Sequence, residues 1–279
     1  MEFVRQSVGG FVFLLAVSLL FAPSASAQQS PDDDEVVRVN TDLVVVNITV
    51  TDSAGKYARG LQRADFKLLE DGLEQNISTF GAEETPFAAA VLLDFSGSME
   101  KRVSLARAAA IRFLDGLREE DVAAVYRFDS EIEQLQDYSP SRDLAPLAFG
   151  MHAKGMTVLN DAIVRAAEDL SRRPEKRRAI VVLSDGYDTK SSASADKALA
   201  AAFNAGVTIY TVDMSAPETS SMQARSQSAG ILRNFASKSG GRYISTPGGR
   251  ELREAFNGIV EELGNQYTLA YRPSNRARD

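Results

Sequence analysis

Residues 87–98 read FAAAVLLDFSGS: an apolar run from Phe87 to Leu93, then Asp94, Phe95, Ser96, Gly97 and Ser98. The run is strand-length and has no polar alternation, which predicts a strand buried on both faces. The pentad places one carboxylate and two hydroxyls at alternate positions in a tight turn, ahead of a helical pattern. In open α/β sheets, ligands bind at such turns, at the carboxyl ends of strands. The side-chain donors are all oxygens, which suits a hard cation: Mg²⁺ first, with Mn²⁺ or Ca²⁺ as alternatives. Thr157 lies in a Gly155-Met156-Thr157 loop, and Asp185 follows a second apolar run, Ala179 to Leu183, just before Gly186. Three loops can thus converge on one ion. Taken alone, the Asp-x-Ser-x-Ser turn also reads as a solvated turn whose Asp caps the next helix. The three elements in order, two of them at strand ends, favour the ion.

The pattern around these loops predicts an α/β fold, a doubly wound and mainly parallel sheet flanked by helices. Strands are expected at Phe87–Leu93, Val122–Phe128, Ala179–Leu183, Val207–Val212 and Arg242–Ser245. Helices are expected at Met99–Leu117, Leu159–Leu170, Ala195–Asn204, Ser220–Ser239 and Arg250–Leu263, the first, second and last of them with apolar residues on one face. Asp129-Ser130 reads as a turn into an antiparallel edge strand, Glu131–Tyr138. Before this domain, residues 36–84 read as a small all-β, sandwich-like unit with strands at Val36–Thr51, Asp65–Glu70 and Gln75–Phe80. The domain is expected to span 85–264. Residues 265–279 form a strand and tail, and Gln266–Ala270 would relieve its unpaired edge by joining the 36–84 unit.

Residues 1–27 read as a signal peptide cut after Ala27, with a mostly apolar stretch from Val8 to Ala22 and Ala25-Ser26-Ala27 as the cleavage site. Secretion or a periplasmic location follows, with membrane attachment only if that segment is retained. Residues 28–35, with three consecutive Asp, read as an acidic linker. Of 279 residues none is Cys and one is His, which excludes a Cys nucleophile, a His/Cys zinc cluster and a His pair. A Ser-His-Asp triad would have to use His152, and no G-x-S-x-G elbow accompanies it. The formal charge of −7 disfavours nucleic acid as a partner. The basic run Arg172–Arg178 reads as a solvated helix-to-strand connection. Asp129 and Asp188 read as solvated loop acids, with support of the metal site as the alternative.

Asp94, Ser96, Ser98, Thr157 and Asp185 together resemble the metal-ion-dependent adhesion site of von Willebrand factor type A (VWA) domains. That site uses Asp-x-Ser-x-Ser, a later Thr and a later Asp. The resemblance covers roughly Thr85 to Gly264. The preceding segment is similar to the one before the A domain in a bacterial group of secreted VWA-related proteins. Met156 is a departure, standing where the family often has Gly or Asn. The resemblance implies a Rossmann-like fold, direct metal contact from the Ser pair and water-mediated contact from at least one Asp. It implies a non-catalytic module that captures an acidic side chain of a protein partner through the bound cation. It also implies a ligand-linked shift of Arg250–Leu263, between Gly248-Gly249 and Gly264; a static packed helix is the alternative. Two other classes stay open: a structural module whose ion only staples loops, and a Mg²⁺-dependent hydrolase. The hydrolase lacks a second Asp two residues after Asp94, a Walker loop and an evident general base.

Overall fold

Val44–Thr49 (β1) is the first strand in the computed structural model, which describes residues 43–82, 85–142, 155–215, 221–245 and 249–274. The signal peptide, the linker, the start of the Val36–Thr51 strand, His152 and Gly248 lie outside the described residues. Asp52 closes the turn after β1, its carboxylate accepting the N–H groups of Ala54 and Lys56 at 2.9 Å each. The expected strand Asp65–Glu70 is shorter than its pattern suggested. Arg63–Asp65 forms a 3₁₀ turn instead, because Gln62 and Asp65 close a reciprocal capping box. Leu68–Glu70 (β2) and Leu73–Gln75 (β3) then make a hairpin about Asp71-Gly72, whose φ values of 50° and 78° are those a type I′ turn needs. Ile77–Gly81 (β4) completes the unit.

The remaining elements run Phe87–Asp94 (β5), Val103–Asp115 (α1), Val122–Phe128 (β6), Ile132–Ser139 (β7), Leu159–Ser171 (α2), Arg177–Ser184 (β8), Ala195–Asn204 (α3), Val207–Asp213 (β9), Met222–Ser239 (α4), Tyr243–Ser245 (β10), Gly249–Gly264 (α5) and Gln266–Tyr271 (β11). The first helix departs from expectation: Gly97–Arg102 is 3₁₀, and the α-helix starts only at Val103.

Six strands form one sheet in the order β10-β9-β8-β5-β6-β7, parallel throughout except for β7, which is the antiparallel edge. The period of two along β5 divides the core. Ala89, Val91 and Leu93 pack towards α1 and α5, with Phe113 and Phe256. Ala88, Ala90 and Leu92 pack towards α2, α3 and α4, with Ile163, Leu199 and Phe235. Each large aliphatic side chain so buried stabilises the fold by about 1.5–3 kcal/mol, and β5 and β8 contribute to both layers. The chain leaves β5 towards β6 on one side and returns as β8 on the other. The order therefore reverses between β5 and β8, and a crevice opens beyond their carboxyl ends.

The basic run is solvated only in part: Arg172 and Lys176 are exposed, but its last two arginines turn inward. Arg177 is fully buried and donates to the Thr85 carbonyl. Arg178 donates to the carbonyls of Arg173, Glu175 and Ala205 at 2.6–2.8 Å. Its guanidinium collects carbonyls that the helix-to-strand turn leaves unpaired, a need that charge counting cannot reveal.

Strand β11 lies between β1 and β4, antiparallel to both, with Val44 opposite Tyr271 and Thr49 opposite Gln266. The six-stranded domain is thus inserted between β4 and β11 of the three-stranded sheet. Phe66, Phe80 and Tyr267 stack over one face of that sheet, with centroids 5.2–5.9 Å apart. Only Asn265 separates α5 from β11. Its amide donates to the Glu261 carbonyl at 2.6 Å, and its Oδ1 accepts from Arg59 Nε at 2.6 Å. Arg118 donates to the Gly264 carbonyl. The glycine that offers freedom in sequence is therefore tied in the fold.

Candidate metal centre

Asp94 is the last residue of β5 and has no exposed surface. Its Oδ1 accepts the Ser96 N–H at 2.8 Å, which draws the following turn back over the strand end. Its Oδ2 accepts the Ser184 hydroxyl at 2.6 Å. Ser184 ends β8, and its Oγ also accepts the Gly186 N–H at 2.9 Å. One hydroxyl thus joins the ends of the two strands at the crevice. The Ser96 and Ser98 hydroxyls lie 3.1 Å apart, Ser96 buried and Ser98 exposed.

Asp185 follows Ser184 directly and is buried. Its turn needs Gly186, which has φ +82°; a Cβ there would come within 2.6 Å of the Ser228 carbonyl oxygen on α4. Thr157, 3% exposed, precedes α2. Its loop meets the first one where a Cβ on Gly97 would lie 3.5 Å from the Gly155 Cα. The structure therefore brings the loops of Asp94, Thr157 and Asp185 to one crevice.

Both carboxyl groups at this crevice are raised above the ordinary carboxylate range. Burial raises the Asp94 carboxyl to about 7; the Asp185 charge adds to this, and the Ser184 and Ser96 hydrogen bonds offset only part of it. Asp185 is also raised, chiefly by burial and further by Asp213, against hydrogen bonds from Ser98 and the Tyr187 N–H. The charged groups acting on both carboxylates are other carboxylates, not Lys or Arg. Buried like charges need a counter-ion or a proton. Two carboxylates and three hydroxyls form an all-oxygen set that fits Mg²⁺ or a similar hard ion. Among the described residues, no group of three or more His, Cys, Asp or Glu side chains is placed to hold an ion. An ion here would rely on the hydroxyls.

Sequence reasoning missed two residues. Ser184 directly follows the apolar run Ala179–Leu183, where its hydroxyl reads as an ordinary strand end. Asp213 ends β9 and accepts the Tyr243 hydroxyl at 2.6 Å and the Ser215 N–H at 2.8 Å. Its position at a strand end, like that of Asp94, was the available signal. Asp129 and Asp188 are not freely solvated: Asp129 is buried and closes its own turn, and Asp188 is half-buried and also caps α2. Asp129 accepts from the Ser130 hydroxyl and the Glu131 N–H, and Asp188 accepts the N–H groups of Asn160 and Ser191.

Solved structures share this fold at low identity. A von Willebrand factor type A protein from Catenulispora acidiphila superposes with a TM-score of 0.52 at 16% identity, over 71% of this chain and 52% of that one. The vWF domain of the type V pili tip protein Mfa5 from Porphyromonas gingivalis gives 0.53 at 13% identity, over 64% of this chain and 95% of that one. The conserved hypothetical protein BatB from Bacteroides thetaiotaomicron gives 0.50 at 18%, over 63% and 98%. No curated protein sequence matches the chain. Residues 70–237, more than half of the chain, match the family described as VWA domain containing CoxE-like protein, and this protein belongs to that VWA domain family.

Proposed function

We propose that this protein is a metal-ion-dependent binding module acting outside the cytoplasm, where it captures an acidic side chain of a protein partner. Family membership supports a protein-interaction or adhesion module, a class that is generally non-catalytic. The cation would be held by Asp94, Ser96, Ser98, Thr157 and Asp185, with Mg²⁺ preferred over Mn²⁺ or Ca²⁺. The observation that carries this reading is the pair of buried carboxylates, acted on by other carboxylates, beside three hydroxyls at the switch point of the sheet. When bound, a dication supplies a Lewis-acidic centre for a partner carboxylate. The chain's own residues hold the site: Ser184 orients Asp94, the Ser96 N–H fixes its other oxygen, and exposed Ser98 lies on the solvent side.

The loop-stapling alternative is less well supported. The loops of Thr157 and Asp185 are already joined by hydrogen bonds between residues 157–161 and 188–193. Export rests on the reading of residues 1–27. Among the described residues no helix is long and apolar enough to cross a membrane.

Calorimetric titration with MgCl₂, MnCl₂ and CaCl₂ tests the site. One saturable event in the wild type, lost in Asp94→Ala, is expected; equal heats in both proteins would reject the ligand set. Pull-down from an envelope fraction with and without EDTA separates binder from staple. A binder loses its partner in EDTA, whereas a staple loses mainly thermal stability.

A further inference from the structure

Helix α2 cannot cap itself. Its N-cap residue is Val158, which has no side-chain acceptor, so the first N–H groups of the helix need partners from elsewhere. They find them about thirty residues on: Asp188 Oδ2 accepts the Asn160 N–H at 2.8 Å, and Ser191 Oγ accepts the Asp161 N–H at 3.1 Å. The exchange is reciprocal. The Asp161 carboxylate accepts the N–H groups of Ser192 and Ala193, both at 2.8 Å, and Asn160 Nδ2 donates to the Ala193 carbonyl at 3.1 Å.

The end of this clasp nearest the crevice grips Thr157 alone. Thr189 Oγ1 accepts the Thr157 N–H at 2.9 Å, and the N–H groups of Thr189 and Lys190 both donate to the Thr157 carbonyl at 3.0 Å. Both peptide groups of Thr157 are therefore pinned by the loop that begins at Asp185. Neighbouring Met156 is left 46% exposed.

We infer that Thr189 is a positioning residue for the metal centre, fixing the Thr157 backbone so that its hydroxyl faces the crevice. Two of the three ligand loops then move as one body, which the Asp94–Ser98 turn meets through the Ser184 and Ser98 hydroxyls. The inference rests on the proposed metal-binding reading. Thr189 is exposed, so substitution there leaves the core intact.

The test is calorimetric Mg²⁺ titration of the full chain as wild type, Thr189→Val, Thr189→Ser and Asp161→Asn, with thermal unfolding in EDTA alongside. Valine keeps the shape and removes the acceptor of the Thr157 N–H; serine restores it. Affinity in Thr189→Val is expected to fall at least fivefold, and Thr189→Ser to stay within twofold of wild type. Asp161→Asn loosens the far end of the clasp, and should lower the unfolding temperature while leaving affinity unchanged. Unchanged affinity in Thr189→Val, or an equal loss in Asp161→Asn, overturns the positioning role and leaves the metal site standing. A wild type that takes up no Mg²⁺ overturns the metal reading and this inference with it.

Discussion

The Ser184 hydroxyl donates to Asp94 Oδ2 at 2.6 Å, joining the carboxyl ends of two strands that lie ninety residues apart in sequence. Both groups are buried, and the same oxygen accepts the Gly186 N–H, so Ser184 supports both turns at the crevice. Ser184→Ala removes a donor from a buried carboxylate and an acceptor from a buried N–H. A loss of about 1–3 kcal/mol in urea unfolding is expected. A loss below about 0.5 kcal/mol would mean that water replaces both contacts.

The raised Asp94 carboxyl makes the metal-free protein sensitive to pH in a defined direction. Its folded value of about 7 exceeds the ordinary 3.8, so the folded state holds the proton more tightly than the unfolded state. Its stabilising contribution is complete below pH ~4 and disappears as pH rises through about 7. In EDTA the unfolding temperature should therefore decline between pH ~4 and pH ~7, where the folded state keeps a proton on Asp94 that the unfolded state has lost, and level off above that range. Asp94→Asn should flatten that decline and exceed the wild type at pH 8 by ~2–4 kcal/mol. Saturating Mg²⁺ should reverse the ranking. Parallel pH profiles for the two proteins would show that Asp94 is not the titrating group.

Gly186 is the one backbone position at the centre where a side chain has no room. With φ +82° and the Ser228 carbonyl oxygen 2.6 Å from a would-be Cβ, Gly186→Ala forces backbone against backbone. A cost of about 2–4 kcal/mol is expected, together with weakened Mg²⁺ binding because Asp185 is carried along. Calorimetry and denaturant unfolding on the same sample would check both effects.

Helix α5 is expected to stay in place when the site fills. A shift along its axis would have to drag β11 through its register with β1 and β4, past the Asn265, Arg59 and Arg118 contacts. Amide exchange from Leu263 to Tyr271 should be the same with EDTA and with saturating Mg²⁺. Faster exchange in either state would restore the helix shift that the family resemblance implies.

The sheet and the three site loops were legible because each is written locally. Phe87–Leu93 and Ala179–Leu183 are unbroken apolar runs, and their polar neighbours fall at strand ends. The parts that were not legible depend on partners far away in sequence. Nothing near Val158 announces that α2 is capped by Asp188 and Ser191. Nothing near Arg178 shows that its charge serves three carbonyls rather than solvent. The division of Asp65–Glu70 had a local signal, Gln62 and Asp65 at capping-box spacing, which the β-rich surroundings outweighed. The tie at Gly264 was invisible because the sequence shows a glycine's freedom and not the Arg118 that removes it.

The pairing of β1 with β11 decides how the molecule meets a pulling force. Val44 and Tyr271 sit opposite one another at the same end of the ladder, and Thr49 and Gln266 at the other. Tension arriving through the backbone on either side of these strands would open the pairs one after another, from Val44–Tyr271 inward, instead of shearing them together. Such peeling yields under small loads and lengthens the tether in steps. The crevice between β5 and β8 lies beyond both this ladder and the one that β11 makes with β4. Under the binding role proposed above, the small sheet would be a shock absorber placed ahead of the grip.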